Sequence, residues 1–443
     1  MATRAFAAVL ILASAGAAWL TVTVPLAARA LQAAIALSMA YVAWLAWRGA
    51  RVIRRALADA AGGAGEPTGL AGDLGFVSLV VPARNEASVV GGAVGSLAAQ
   101  RYAGADGRPA FEVVVVDDAS TDRTGDLARA AAGGEEHVCV VRREPSPGPR
   151  TKGAVLADAM PYLRGDVIGV IDADTTVEPA FLERTMRAWR RDPDAAAIQV
   201  ARLPRNASVS WLTAAQAEEQ LMDLASQCGR RVADGTAELR GNGMFVRRGA
   251  LEAVGGWSRT ALTEDLDLST RLVSDGRHVA LAPEVSVGEE AVESPGPLWR
   301  QRMRWAEGSL RRLIAHGPRL LAGPHPWRRK ADFVAFAAEF LLPPLFAASI
   351  LASLVTVVLP RPADWTVPAS LFVGYGLGVF LLALGGLWAV GVRGVALPGR
   401  ALRGALFLSH WLVVVPAALL RIAVGPATSG FSQTPRSTRP PDR

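Results

Sequence analysis

Cysteine, histidine and tyrosine are scarce in this chain of 443 residues, which has two, five and four of them. Two cysteines, Cys139 and Cys228, are too few for a disulfide framework or a cysteine zinc site. The histidines at 137, 278, 316, 325 and 410 are scattered without metal-ligand spacing. This usage fits a reducing, cytoplasmic setting. Recognisable nucleic-acid-binding motifs are also missing, although Lys+Arg exceed Asp+Glu by 47 to 40 and the isoelectric point is near 10.1. The arginines sit beside apolar stretches, so the basic balance points to a membrane surface and no nucleic acid.

Apolar residues are plentiful. Hydrophobic residues make up 51% of the chain and mean hydropathy is +0.25, yet 20% of residues are charged. That mixture reads as membrane segments joined to a conventional globular part. Residues 5–28 and 30–47 are two apolar stretches, each close to the roughly 20 residues that span a bilayer. A cleaved signal peptide is the alternative, since residues 26–30 loosely resemble a cleavage site. The first stretch is long for such a segment, and a second follows at once, so a transmembrane hairpin over 1–50 is expected. Arg48, Arg51, Arg54 and Arg55 then place this end in the cytoplasm by the positive-inside rule.

Three further apolar blocks, 331–359, 366–391 and 404–424, follow Arg328, Arg329 and Lys330. They predict a C-terminal transmembrane region over 326–425 with about three helices, then a tail over 426–443. Arg393, Arg400 and Arg403 fit the cytoplasmic side, whereas Arg436, Arg439 and Arg443 of the tail conflict with an odd number of spans. Glu339, inside the first of these blocks, is either interfacial or turned toward a polar path between helices. The expected location is the plasma membrane, multi-pass, with the middle of the chain cytoplasmic.

Between the membrane parts, the Gly/Ala-rich stretch 51–75 reads as a linker and 76–325 as a folded domain. Predicted strands at 77–82, 111–116, 138–141 and 167–171 alternate with predicted helices at 87–100, 124–132 and 152–163, with a loop over Pro145–Pro149. This rhythm predicts an α/β fold with a mainly parallel sheet. The fourth strand ends in Asp172-Ala173-Asp174. Ligands of open α/β sheets bind at the carboxyl ends of strands. Two carboxylates placed there can share Mg²⁺ or Mn²⁺, with phosphate oxygens and water completing its shell. An ordinary acidic turn is the plain alternative. However, Glu86 and Asp118 follow two other strand tips, and carboxylates at three strand ends are hard to explain by packing. Such groups accept hydrogen bonds from a base edge, while Arg84 and Lys152 can neutralise phosphate.

The stretches VSLVVPARNEASVV, VVVVDDASTDRT and VIDADTTVEP resemble the consecutive motifs of family 2 glycosyltransferases with the GT-A fold. Thr263-Glu264-Asp265 is similar to that family's TED motif, and Gln301-Arg302-Met303-Arg304-Trp305 to its QxxRW motif. With flanking membrane helices, the chain resembles the membrane-integrated synthases of cellulose, hyaluronan, chitin and, above all, poly-β-1,6-N-acetylglucosamine. The likeness covers residues 76 to about 325. It implies that Glu86 and Asp118 hold the base of a nucleotide-sugar, usually UDP-linked, and that Lys152 contacts its diphosphate. It further implies that Asp172 and Asp174 ligate Mg²⁺ or Mn²⁺ and that Asp265 is the general base. Gln301, Arg304 and Trp305 would close on diphosphate and acceptor, with Gly241, Asn242 and Glu264 on the acceptor side. The implied reaction is inverting transfer to a growing β-linked polysaccharide; five predicted spans are few to enclose a channel, which leaves room for a small membrane partner subunit. The alternative is a non-processive transferase acting on a membrane lipid.

The residues support this independently. Departure of a diphosphate requires its charge to be neutralised, and the attacking hydroxyl requires one base. Trp299, Met303, Ala306, Leu310 and Leu313 recur at three- and four-residue spacing, opposite Gln301, Arg304 and Trp305. Trp257 is a weaker candidate for sugar stacking than for core packing. Two other classes remain. Residues 170–176 also match the start of haloacid-dehalogenase-type phosphatases, but two strand–carboxylate units precede them. A non-catalytic membrane scaffold would leave the acidic set unused.

Overall fold

The computed structural model describes residues 2–61, 75–144, 150–358 and 366–425. Most of the Gly/Ala-rich linker, the Pro145–Pro149 loop and the tail lie outside them. The chain opens with helices α1 (Ala2–Thr23) and α2 (Pro25–Ala61). α2 runs past the expected end of the hairpin at residue 50, so Arg51, Arg54 and Arg55 continue the helix that carries Arg48 instead of lying in a linker. Nothing in residues 51–61 breaks a helix, because neither Gly nor Pro occurs there.

The central domain follows as β1 (Val77–Ala83), α3 (Val90–Ala98), β2 (Phe111–Asp118), α4 (Thr124–Ala132), β3 (Val138–Arg143), α5 (Lys152–Ala159) and β4 (Val167–Val170). Then come α6 (Phe181–Arg190), β5 (Ala197–Pro204), α7 (Trp211–Val232), β6 (Met244–Arg247), α8 (Arg248–Ala253), α9 (Glu264–Ser274), β7 (Val279–Glu289) and α10 (Pro295–Ala322). The sheet order is β3-β2-β1-β4-β6-β5-β7, parallel except for β6, which runs antiparallel to both neighbours.

Alternation along the strands builds a core on each face of the sheet. Val77, Leu79 and Val81 of β1 pack with α3 and α6, whereas Val80 packs with α5 and Trp257. Trp257 is thus a core residue, 5% exposed. Ser78, on the same face as Val80, is also buried and donates to Glu112 Oε1 at 2.6 Å.

Strand polarity assembles the site. The carboxyl ends of β1 to β4 share one edge. Because β6 is reversed and pairs Met244 with Val170, the residues just before it arrive at that same edge. Asn242 therefore bonds to the backbone of Asp172, 70 residues earlier in the chain.

The chain ends in apolar helices α11 (Trp327–Val358), α12 (Thr366–Ala389), α13 (Ala396–Leu408) and α14 (Trp411–Val424). Among the described residues, four helical segments are long and apolar enough to cross a membrane: Thr3–Thr23, Pro25–Ala61, Trp327–Val355 and Ala396–Val424. Val373–Ala389 is a shorter apolar helix. The apolar face expected on α10 packs Met303, Ala306 and Leu310 against Val414, Ala418 and Ile422 of α14 and Ala7 of α1. Leu313 packs instead with Val273, Leu320 and Phe333, and Trp299 is 42% exposed.

α2 and α7 cross with backbones in contact. A Cβ on Gly49 would lie 2.1 Å from the Ala225 carbonyl oxygen, and one on Gly229 would lie 2.0 Å from that of Leu45. Glu218, buried on α7, is gripped by Arg400 Nε at 3.0 Å and by Arg403 of α13. Gly229→Ala should therefore lower the melting temperature of the detergent-purified protein, since overpacking costs roughly 1–3 kcal/mol. Gly249→Ala, where nothing lies within 4 Å, should leave it unchanged or slightly raised.

Candidate active site

The first two strand tips end in strained, interlocked loops. Asn85 and Ala119 adopt φ of 52° and 49°, a region that non-glycine residues seldom occupy. The Asn85 N–H donates to Ser120 Oγ at 3.0 Å, and Asn85 Oδ1 accepts from the Thr121 N–H at 2.8 Å. Buried Glu86 donates its N–H to Thr124 Oγ1 at 2.8 Å. These bonds hold two backbone turns that would otherwise relax.

Asp118 is buried between two guanidiniums. Arg84 Nη1 lies 3.3 Å from Oδ2 and Arg143 Nη1 lies 2.5 Å from Oδ1. Arg143, at the end of β3, also donates from Nε to Asp158 Oδ2 at 2.7 Å. Sequence reasoning omitted Arg143, although the strand-tip rule that picked out Asp118 applies equally to the end of β3.

Lys152 joins three elements. Its Nζ donates to Asp172 Oδ1 at 2.5 Å and to the Gly241 carbonyl at 2.7 Å, and lies 3.8 Å from Glu264 Oε1. Thr151 caps α5 by accepting from the Ala154 N–H at 3.0 Å and fixes the lysine at the first turn. Burial opposes the charge on this ammonium, but Asp172, Glu264 and Asp265 outweigh it and raise its pKa above the usual lysine value. Glu264 is pushed up to about 7, first by burial and then by Asp265, against the opposing pull of Lys152.

Glu264 and Asp265 occupy the first turn of α9, where the helix dipole favours negative charge. Gly241 must be glycine on two counts. Its φ is +80°, and a Cβ there would stand 3.2 Å from Asp265 Oδ2. Asn242 is fully enclosed. Its Oδ1 accepts from the Asp172 N–H at 3.1 Å and its Nδ2 donates to Thr175 Oγ1 at 2.9 Å. Its amide is thus engaged in shaping the turn that carries Asp172 and Asp174.

α10 closes the other side. Gln301, Arg304 and Trp305 line the same cavity as the strand-tip carboxylates, in contrast to the Met303–Leu310 face. Burial depresses the Arg304 guanidinium pKa despite the charges of Glu264, Asp265 and Asp172 around it. Arg302, which sequence reasoning passed over, pairs with Glu219 at 2.6 Å and stacks on Trp305 at 4.3 Å.

The cavity encloses about 1710 Å³. Arg84, Glu86, Asp118, Lys152, Asp172, Asp174, Gly241, Asn242, Glu264, Asp265, Gln301, Arg304 and Trp305 all line it. It continues past Glu219 and Asp223 of α7 into a gallery walled by α2, α11 and α12, with Met39, Phe336, Leu342 and Val379 among its lining. Among the described residues no three His, Cys, Asp or Glu side chains gather as a metal cage. Asp172 and Asp174 do fit a hard divalent ion arriving with a diphosphate, because such an ion needs only one or two carboxylates from protein.

The mixed sheet, its reversed strand and this edge define a GT-A nucleotide-sugar transferase fold. The chain belongs to the family described as Glycosyltransferase like family 2, which matches residues 75–308. It is 34% identical over 353 residues to the β-monoglucosyldiacylglycerol synthase of Synechocystis sp., covering 79% of this chain and 72% of that one. It is 23% identical over 247 residues to the poly-β-1,6-N-acetyl-D-glucosamine synthase of Staphylococcus aureus, covering 55% and 56%. A solved mannosyltransferase from Pyrobaculum calidifontis, in complex with GDP-Man and Mn²⁺, shares the fold with a TM-score of 0.55 and 21% identity, covering 85% of this chain and 98% of that one. The chain is accordingly a glycosyltransferase, which displaces the phosphatase and scaffold readings.

Behind the site, Glu238 is buried among Arg230, Arg240 and Arg312, with Arg240 Nη1 at 2.8 Å. Burial would raise its pKa, but the three guanidiniums bring it down to about 2 from 4.5. A carboxylate depressed on folding stabilises fully above its unfolded value, so this contribution is complete above about 4.5 and gone below about 2. Glu238→Gln should cost roughly 3–5 kcal/mol at pH 7, and the gap from wild type should shrink as melting is measured at progressively lower pH.

Proposed function

We propose that this protein is an inverting, divalent-metal-dependent glycosyltransferase that moves a hexose from a UDP-sugar to the hydroxyl of a membrane lipid at the cytoplasmic face. The carrying observation is the cavity, which joins an acidic, arginine-rimmed edge to a gallery lined largely by aliphatic and aromatic side chains from the apolar helices. Acyl chains suit such walls, whereas a polysaccharide would need hydrogen-bonding partners along its path. The β-monoglucosyldiacylglycerol synthases of Synechocystis sp. and Trichormus variabilis, 34% and 32% identical, point the same way and favour glucose. The polymer reading expected from the motifs draws on the 23% likeness to the staphylococcal synthase and becomes the second choice.

In this reading Glu86 and Asp118 face the base, with Arg84 and Arg143 holding Asp118 in place. Lys152 and Arg304 offset the diphosphate charge, and Asp172 and Asp174 would hold Mg²⁺ or Mn²⁺, which when bound supplies further electrostatic stabilisation of the leaving diphosphate. Asp265 takes the proton from the acceptor hydroxyl, whose oxygen attacks the anomeric carbon as the bond to UDP breaks. One base and direct displacement invert the centre, so an α-linked donor gives a β-glycoside. Trp305, held against Arg302, borders the acceptor.

Purified protein in lipid nanodiscs, supplied with labelled UDP-Glc, UDP-GlcNAc or GDP-Man, should yield a small chloroform-extractable product. A high-mass, water-soluble product would instead favour the polymer. Asp265→Asn should keep UDP affinity and lose transfer by about 10²- to 10⁴-fold. Weakened UDP binding with normal residual turnover would contradict its role as the base.

A further inference from the structure

The sugar-transfer chemistry leaves several cavity-lining carboxyls without a task, among them Glu339. Glu339 sits on α11, and the cavity lining from this helix includes Phe336, Glu339, Phe340, Pro343 and Phe346, which recur on one face. Glu339 is exposed and lines the cavity, near Asp223 and Arg240, which line it too. Among the described residues its side chain makes no hydrogen bond or ion pair. Its charge neighbours are Arg230, Asp223, Glu238 and Arg240. Those arginines already have partners: Arg240 Nε and Nη2 reach Asp223 at 2.9 and 2.8 Å, and Arg230 Nε reaches Asp332 at 3.0 Å. Arg240 in turn precedes Gly241, the residue that packs on Asp265. A carboxyl on an apolar helix, exposed to the cavity beside ion pairs that are already satisfied, keeps its hydrogen-bonding capacity for a group brought into the cavity.

We propose that Glu339 is a specificity-determining residue for the acceptor, receiving a hydrogen bond from a second donor group on the lipid head, beside the hydroxyl that attacks. The class of acceptor that fits is an uncharged lipid with two hydrogen-bond donors near its head, such as a monoacylglycerol or a ceramide. An anionic phospholipid would bring its phosphate against Glu339 and the paired acids Asp223 and Glu219. A diacylglycerol has a single hydroxyl, which Asp265 uses, and leaves Glu339 unbonded. The inference rests on the lipid-acceptor reading.

The test measures transfer from the labelled sugar donor to monooleoylglycerol, ceramide and dioleoylglycerol in mixed micelles, using the full chain, Glu339→Ala and Glu339→Gln. The wild type should show a lower KM for the two-donor lipids. Glu339→Ala should raise that KM by roughly tenfold or more while leaving the KM for dioleoylglycerol within about twofold, and Glu339→Gln, still an acceptor through its amide oxygen, should fall between. Retained UDP affinity reports that the variants are folded. Equal losses on all three lipids would make Glu339 structural, and equal KM values for wild type and Glu339→Ala would leave it outside acceptor recognition. Either result overturns the proposal. If the wild type glycosylates no lipid, the reading beneath it fails instead.

Discussion

The Lys152 ammonium is the contact on which the site depends. It is buried, so its charge is tolerable only because Asp172, the Gly241 carbonyl and Glu264 converge on it. Those three groups come from the end of β4, the approach to β6 and the start of α9. One side chain therefore sets the relative position of the turn proposed to hold metal, the loop against Asp265 and Asp265 itself. The acids need the lysine as much as it needs them, since Glu264 and Asp265 are adjacent in one helical turn. In the proposed reaction an incoming diphosphate meets a cation already oriented by protein, and little rearrangement is needed.

Much of this was legible beforehand. The four strands ending in polar residues, the parallel sheet and the opposed faces of α10 all follow from periodicity and from where β-branched runs stop. The acidic residues stood out because carboxylates at successive strand tips have no packing reason to be there. Between the third strand and α5, residues 145–149 lie outside the described residues, so Lys152 is explained by its capped helix start.

What escaped sequence reasoning depends on long-range pairing. Nothing local reveals that β6 is reversed, and that reversal is what brings Asn242 onto the Asp172 turn. α7 presents Gln216, Glu219, Gln220 and Asp223 along one stripe, but a polar stripe on a helix ordinarily means solvent. Here it faces the cavity because the other side is occupied by α2 and α13. Local pattern also ended α2 too early, since arginines after an apolar run mark a membrane boundary without ending the helix. The proposed lipid acceptor was beyond motif reading, because the observation behind it is a gallery assembled from both ends of the chain.

The glycine-mediated crossing of α2 and α7 has a mechanical consequence. Backbones that touch at Gly49 and Gly229 leave no side-chain cushion in which the central domain could roll against the first two helices. With those helices seated in a bilayer, the reactive edge rides at one fixed height above the acyl region. The lipid acceptor proposed above would then have to rise or sink to meet it, which would make bilayer thickness a determinant of turnover.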